Sequence, residues 1–490
     1  MKINDFHNSK KYFSKKQFEE ISKEENNIFY LDLNNLYGSA QTLPLPQHSF
    51  EWISQLEIKA LNRIFENQRK HQCKQKPCNF CLWTNKWGDT YWRNNKKNKI
   101  VYKNTGFILS INISYDEETR NFLKEYPPFA SHLDIKEEML SNFNKSMLEI
   151  SNSKFQGGKK LCPNLFNHEE QIIHYKYAFL LSKLGVNIEV KKGIKFYESP
   201  FLNTWIENCT KERKKASQRG DEASVNTLKL FVNAGYGKTL ERKANKDKSI
   251  VCTNTQDQIE YFGNPNVKNF YPLSNDILII TMKQPKVILD RPIQIGTSIL
   301  DLSKVIMISF YYTQLKSLFK DIRPLYSDTD SIIFSTIGER ELQLKEMLPF
   351  LDTSNFPKEH PLYSNDKERQ LFFMKSETSD KKIELFAGIK SKCYYVRTEN
   401  KKNYYKLKGV YNSIPENLIG EAGYLATLLN NSNLYVNFNK ISSKKHTLYK
   451  SSIIRKALSS YDDKNFIKNC GIHLESYGPE NSSECLICDC

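Results

Sequence analysis

The ten residues LYSDTDSIIF, Leu325 to Phe334, are the part of this chain from which its fold is best inferred. Two short apolar runs flank a polar turn, and this pattern predicts a β-hairpin. Asp328 and Asp330 lie two residues apart at its tip, where their carboxylates can converge. An Asp-Thr-Asp tripeptide alone is more often an ordinary acid-rich turn. Other parts of the sequence are therefore needed to decide whether this turn belongs to a functional site.

A third acid ends another apolar run, NIFYLDL, in which residues 28–33 predict a buried strand that ends near Asp32. If this strand and the hairpin are neighbours in one sheet, Asp32, Asp328 and Asp330 meet at one edge. Such a cluster repels itself unless hard cations neutralise it, and Mg²⁺ prefers a few carboxylates plus phosphate oxygens. The pattern favours a two-metal site for phosphoryl chemistry.

A strongly basic helical stretch lies between these two acidic segments. Its part LKLFVNAGYGKTLE places Lys229, Asn233 and Tyr236 at separations of four and three, on one helical face. Upstream, KERKKASQR supplies Arg213 and further cations, and a turn around Gly220 would aim both helices at one point. A triphosphate requires such a clamp. The alternative is a solvated basic helix with Tyr236 in the core.

The composition limits the function classes. The net charge is +17, which favours a polyanionic partner such as nucleic acid, and the 12% aromatic content suits base stacking. The sequence has no run of eighteen apolar residues and its start lacks an apolar signal core, so no membrane partner is expected. Eleven cysteines without a secretory signal predict reduced thiols and an intracellular protein.

Local patterns predict several further elements. Residues 168–185 have helical spacing, and residues 297–319 form one long helix without Gly or Pro. Residues 186–199 predict a hairpin, with VNIEV and IKFYE flanking a Lys-Lys-Gly turn. Residues 386–398 and 403–410, FAGIKSKCYYVRT and NYYKLKGV, predict two more strands.

Four motifs, in this order, resemble those of family B DNA polymerases. They read Asp32-Leu-Asn-Asn-Leu-Tyr37, Lys229-Leu-Phe-Val-Asn233-Ala-Gly-Tyr236-Gly237, Tyr326-Ser-Asp328-Thr-Asp330-Ser331 and Lys392-Cys-Tyr394. The finer resemblance is to the protein-primed branch, of organellar and viral type, and within it to Maverick/Polinton elements. It includes residues 160–189 and 457–467 and runs from about residue 28 to about residue 478. The first motif departs from the family at Asn35 and Gly38, which carry Ser and Pro in most members.

The resemblance implies a role for each matching residue. Asp32 and Asp330 would hold two Mg²⁺ ions, with Mn²⁺ as a substitute, and Asp328 would be a supporting carboxylate. Tyr37 would lie under the incoming sugar and exclude a 2′-hydroxyl. The triphosphate would be held by Lys229 and Arg213, the nascent base pair would be lined by Asn233 and Tyr236, and the DNA would be contacted by Lys392, Tyr394, Lys406 and Lys408.

The implied fold is α+β, a right-hand polymerase with a palm built on an antiparallel sheet, helical fingers, a small thumb and two insertions of the protein-primed type. The domain boundaries that follow are 1–27 leader, 28–53 first part of the palm, 54–195 first insertion, 196–242 fingers, 243–290 second insertion, 291–410 second part of the palm, and 411–490 thumb and tail.

The implied function is template-directed DNA synthesis on primer-template DNA from dNTPs. Only 31 residues precede Asp32, which leaves no room for the exonuclease domain that family B members carry there. We therefore expect a fragment, a split gene product with a separate exonuclease chain, or a polymerase without proofreading. A terminal priming protein is a further expected partner. The alternative is a catalytically decayed mobile-element remnant that only binds nucleic acid.

A cysteine cluster lies in the basic stretch HQCKQKPCNFC. Cys78 and Cys81 have the spacing of a zinc-ligand pair, and Cys73 with His71 makes a poorer second pair. Three further cysteines end the chain. Zinc at Cys73, Cys78 and Cys81 is therefore a candidate, and thiols on an irregular segment are the alternative.

Overall fold

The computed structural model describes residues 26–70, 104–243, 247–284, 286–410, 419–444, 447–471, 473–479 and 481–484. Its strands are β1 Asn26–Leu33, β2 Leu45–Trp52, β3 Thr105–Ser114, β4 Ala130–Ile135, β5 Gly158–Pro163, β6 His168–His174, β7 Asn187–Ser199, β8 Lys248–Cys252, β9 Val267–Pro272, β10 Leu278–Met282, β11 Arg323–Asp328, β12 Ser331–Ile337, β13 Leu351–Asp352, β14 Met374–Ser376, β15 Ile383–Lys390, β16 Cys393–Thr398, β17 Asn403–Lys406, β18 Leu434–Lys444, β19 Thr447–Leu458, β20 Phe466–Ile467 and β21 Leu474–Glu475.

The helices alternate irregularly with these strands. They are α1 Leu36–Gln41, α2 Gln55–Arg69, α3 Glu117–Leu123, α4 Asn142–Ile150, α5 Tyr175–Lys183, α6 Asn203–Gln218, α7 Glu222–Thr239, α8 Thr255–Phe262, α9 Ile293–Ser309, α10 Arg340–Met347 and α11 Glu421–Asn430. The chain is thus a mixed α and β protein with several separate sheets.

A five-stranded sheet carries the acidic motifs. Its order is β11-β12-β1-β14-β13, and only the β13–β14 pair is parallel. The predicted hairpin is confirmed, because β11 and β12 pair antiparallel and enclose the Asp-Thr-Asp turn. β1 is the central strand, with Asp32 opposite Ser331 of β12 and opposite Lys375 of β14. The two acidic segments are therefore neighbours in one sheet.

The main core lies between this sheet, α9 and a second sheet of order β2-β7-β3-β6. α9 is continued by a π-helical turn, Phe310–Leu315, and one last α-helical turn, so the predicted long helix is confirmed. The combined helix Ile293–Leu318 is the one in the described ranges that is long and apolar enough to cross a membrane. Most of its apolar window is buried inside the protein, as in a core helix.

The hairpin predicted at residues 186–199 is wrong. This segment is the single strand β7, and the Lys-Lys-Gly stretch is an irregularity where Ser110 pairs with Lys192 but Ile111 pairs with Val190. A Cβ on Gly193 would lie 2.8 Å from Leu109 Cδ2. Glycine is there because β3 packs too closely for a side chain, not because the chain turns.

Two other predicted elements have different bounds. Residues 168–174 are the strand β6, paired with β3, and the helix α5 begins only at Tyr175. Residues 386–398 are not one strand but most of the hairpin β15–β16, which turns at Ser391 and Lys392. Lys392 has φ 59, a left-handed conformation that the apolar pattern of the segment does not reveal.

Candidate active site

The three acids of the sequence motifs lie at one end of the five-stranded sheet. Thr329, with φ 58, forms the turn between β11 and β12. The backbone N–H of Leu33 donates to the carbonyl of Asp330 at 2.7 Å, and this hydrogen bond docks the turn onto the end of β1. As a result, Asp32 and Asp330 line the same cavity.

The two carboxylates are partly buried and repel each other. Burial raises the pKa of Asp32 to about 7, and the charges of Asp330 and Glu377 add to the rise, while Lys229 opposes it. Burial also raises the pKa of Asp330, with a contribution from Asp328. Ionised carboxylates in such surroundings are stabilised by a cation.

The donor set fits Mg²⁺ held jointly with a substrate. Within the described ranges, no group of three or more His, Cys, Asp or Glu side chains is arranged to hold a metal. Mg²⁺ needs no such cage, because it is commonly bound by one or two carboxylates plus phosphate oxygens and water. Asp32 and Asp330 meet that requirement. The candidate zinc ligands Cys73, Cys78 and Cys81 lie outside the described residues.

Asp328 has a different partner from the other two acids. Lys392 Nζ lies 2.7 Å from Asp328 Oδ2, and the backbone N–H of Lys392 donates to the Tyr326 hydroxyl. Asp328 is therefore paired with the β15–β16 turn. Tyr394 is only 5% exposed, and its hydroxyl lies 2.9 Å from that of Tyr30. The protein's own contacts thus cover most of the Tyr394 side chain, which leaves little of it for a strand of DNA.

The two predicted DNA-binding lysines beyond this hairpin have different neighbours. Lys406 is exposed on β17 opposite Tyr394. Burial raises the pKa of Glu377 near the acidic site, and the positive charge of Lys406 is among those that oppose the rise. Lys408 is also exposed but lines a different cavity, which it shares with Lys390 and Lys456.

The predicted basic helices are confirmed as α6 and α7. They are joined at Gly220, whose φ of 74 lets the chain turn, and Asp221 caps α7 by accepting from the Ser224 N–H. Lys229 and Asn233 of α7 and Arg213 of α6 line the same cavity as the acids. The helices thus bring cations to the acidic end of the sheet.

Tyr37 and Tyr236 form a stack beside this cavity. Their ring centroids are 4.4 Å apart and the planes are inclined by 19°. Gln41 reinforces the contact between α1 and α7, because its Nε2 donates to the Tyr37 and Val232 carbonyls. Tyr236, predicted to line a base pair, does not line the cavity itself but packs against Tyr37, which does.

The two departures from the family's first motif are coupled in space. Asn35 has φ 53 and caps α1 by accepting from the Gly38 N–H. A Cβ on Gly38 would lie 2.2 Å from Asn35 Nδ2. Gly38 thus leaves room for the Asn35 cap, and the pair holds Tyr37 at the start of α1.

The cavity has a volume of about 340 Å³ and contains cations that the motifs do not predict. Lys375 enters it from β14, and Arg369 enters from the β13–β14 loop. β14 is three residues long and the loop carries no motif, so the sequence contains no periodic signal for either residue. The polar or charged residues that line the cavity are Asp32, Asn34, Asn35, Tyr37, Cys209, Thr210, Arg213, Lys229, Asn233, Asp330, Arg369 and Lys375.

No protein-family model matches the sequence, and no curated protein matches it either. Its structural neighbours are DNA polymerases. Phi29 DNA polymerase in an orthorhombic crystal form has a TM-score of 0.48 and 11% identity, over 91% of this chain and 64% of that one. Phi29 DNA polymerase complexed with primer-template DNA and incoming nucleotide substrates has a TM-score of 0.46 and 12% identity, over 94% and 65%. The chain thus spans a little under two thirds of the length of these neighbours.

Proposed function

We propose that the chain is a DNA-dependent DNA polymerase that transfers nucleotides from dNTPs to a primer 3′-hydroxyl by a two-metal mechanism. The observation that carries this proposal is the juxtaposition in one cavity of two mutually repelling carboxylates, Asp32 and Asp330, with the cations of α6 and α7. A site that needs both a divalent cation and a polyanion suits a metal-bound nucleoside triphosphate.

Each group has a task in this proposal. Asp32 and Asp330 hold the two Mg²⁺ ions together with phosphate oxygens. When bound, the ions activate the primer hydroxyl and stabilise the pyrophosphate leaving group. Lys229 and Arg213 bind the triphosphate as charge-assisted hydrogen-bond donors.

The proposal assigns sugar selection to Tyr37. Its ring is fixed against Tyr236 and borders the cavity, so it can exclude a 2′-hydroxyl by occupying the space that the hydroxyl needs. Asn233 lies next to the same space and faces the nascent base pair. Lys392 and Lys406 bind the DNA backbone beside the acidic site.

The motif resemblance supports protein-primed replication of a Maverick/Polinton-like mobile or viral element. Under this finer proposal the five-stranded sheet belongs to the palm, α6 and α7 are the fingers, and β18 and β19 belong to the thumb. Extension assays with and without a candidate priming protein test it. Stimulation of DNA synthesis on a template without a primer is expected, and no stimulation would count against protein priming.

The central test is primer extension with Mg²⁺ by the parent chain and by Asp330→Asn. We expect the substitution to abolish extension, because the neutral amide is a poor Mg²⁺ ligand, while primer-template binding stays near the parent value. Asp321→Asn, at an exposed acid outside the cavity, is the matched control.

Extension by Asp330→Asn at the parent rate would refute the metal assignment. DNA binding without any extension by the parent chain would instead favour the alternative of a decayed nucleic-acid-binding protein.

A further inference from the structure

The loop between β13 and β14 fixes Arg369 at the wall of the nucleotide cavity. The backbone N–H of Arg369 donates to Asp352 Oδ2 at 2.9 Å. Asp352 is fully buried and also accepts from Asn34 Nδ2 at 2.7 Å. Asn34 lies two residues after Asp32, so Arg369 is anchored to the turn that follows the strand of the first acid.

The backbone of Arg369 is in the left-handed region, with φ 56. This conformation costs a residue with a side chain on the order of 1 kcal/mol and is most easily adopted by glycine. The hydrogen bond to the buried carboxylate of Asp352 holds the arginine in this conformation.

The loop also contacts the helix that carries Arg213. Arg369 Nη1 donates to the Arg213 carbonyl at 3.4 Å, and Lys214 Nζ lies 3.2 Å from Glu368 Oε2. These contacts hold the two arginines close together at the wall of one cavity. Neither contact gives either guanidinium a carboxylate partner.

The cavity wall carries more positively charged side chains than negatively charged ones. Four cations, Arg213, Lys229, Arg369 and Lys375, line it beside two acids that we assign to metal. Burial and the neighbouring Arg369 lower the pKa of Arg213. Arg213 Nε is buried and has no hydrogen-bond partner among the described residues. A multivalent anion would relieve this repulsion and could accept from Arg213.

We infer that Arg369 is a third cation for the triphosphate of the incoming nucleotide, supplied by the β13–β14 loop rather than by α6 or α7. Asp352 is its positioning residue. The inference rests on the proposed function and deepens it. A nucleotide bound in this way contacts α6, α7 and the acidic sheet at the same time.

The test compares Arg369→Gly and Arg369→Lys with the parent in primer extension at varied dNTP concentration. Arg369→Gly removes the cation and relieves the backbone strain, so loss of folding does not confound the result. We expect its KM for dNTP to rise roughly 10- to 150-fold, the range for a lost charged hydrogen bond, with a smaller change in kcat. The KM of Arg369→Lys for dNTP should lie between that of the parent and that of Arg369→Gly.

Lys358→Ala is the matched control, because Lys358 is an exposed cation of the same loop outside the cavity. A second readout needs neither metal nor catalysis. In EDTA, inorganic triphosphate should raise the Tm of the parent and of Lys358→Ala, and raise that of Arg369→Gly less.

The positioning role of Asp352 is tested in the same assay. Asp352→Asn alone should raise the KM for dNTP, but it should raise it no further in the Arg369→Gly background, because it acts through Arg369. Equal effects in both backgrounds would assign Asp352 to general structure only.

The possible failures are distinct. A parent chain that extends no primer refutes the proposed function. A parent that extends primers while Arg369→Gly keeps the parent KM and the parent response to triphosphate refutes the role of Arg369.

Discussion

The surroundings of Asp32 disfavour the ionised form of its carboxylate. It lies at the end of β1 between Ser331 and Lys375, partly buried and close to Asp330. The pKa of about 7 means that the folded chain without metal holds a proton there near neutrality. Since a metal ligand must be ionised, metal binding and protonation compete at this carboxylate.

The first prediction concerns the pH dependence of Mg²⁺ use. Below about pH 7, where Asp32 is protonated, the apparent Mg²⁺ affinity should fall about tenfold per pH unit from this group alone. Mg²⁺ titrations of primer extension at several pH values measure it. An apparent affinity that stays constant from about pH 6 to about pH 8 would contradict the assignment.

Ionisation of Asp32 favours Mg²⁺ binding but lowers the stability of the metal-free fold. The folded pKa is raised above the unfolded value near 3.8, so ionised Asp32 destabilises the metal-free fold above about pH 7. This destabilisation disappears as the pH falls from about 7 to about 4. Asp32→Asn in EDTA should therefore be more stable than the parent at about pH 8, by roughly 1 to 3 kcal/mol, and denaturant unfolding checks it.

At the scale of the elements, the contact between α9 and the end of α7 leaves no space for a side chain at Gly296. A Cβ on Gly296 of α9 would lie 2.3 Å from Thr239 Oγ1 and 2.5 Å from Leu240 Cγ. α9 packs in the main core, and α7 contains Lys229 and Asn233, which line the cavity. The position of the basic helix therefore depends on a glycine far along the chain.

The prediction at this scale is that Gly296→Ala destabilises the protein by about 1 to 3 kcal/mol, because the end of α7 must shift to admit a methyl group. The KM for dNTP should rise as Lys229 moves with the helix. Gly235→Ala is the control: its Cβ would meet only Trp205 at 3.8 Å, and removal of a helical glycine should stabilise by roughly 0.5 to 1 kcal/mol. Parent-like stability of Gly296→Ala would refute the close contact.

The elements that could be predicted are those with a local signal. The hairpin around Asp328 and Asp330 and the helix that carries Lys229 have turn residues and periodicity of their own. β7 could not be predicted as one strand, because Gly193 has the same appearance in a turn and in a close strand contact. The position of Arg369 could not be predicted, because it depends on a hydrogen bond to Asp352, 17 residues away in the chain, and not on a periodic pattern.

At the scale of the whole molecule, the net charge of +17 affects the binding of charged partners. The positive charge favours any polyanion at low ionic strength, and it is screened by salt. The cavity of Lys390, Lys408 and Lys456 adds a second basic surface to that of the candidate site.

The corresponding prediction is that primer-template affinity falls steeply with salt. The logarithm of the binding constant should fall linearly with the logarithm of the salt concentration, with a slope of about −0.9 for each phosphate that is neutralised. Lys392→Gln should make the slope less steep by about one, in fluorescence anisotropy at varied salt. An affinity that does not change with salt would contradict phosphate binding by this surface.

The central place of β1 in its sheet has a consequence for synthesis on the ribosome. β1 pairs with β12 and β14, whose residues follow it by about 300 positions or more. At roughly 5 to 20 residues per second, β1 waits for its neighbours for on the order of tens of seconds. The backbone N–H and C=O groups along both edges of this apolar strand are unpaired during that time, so the nascent chain needs protection from aggregation until residue 376 has emerged.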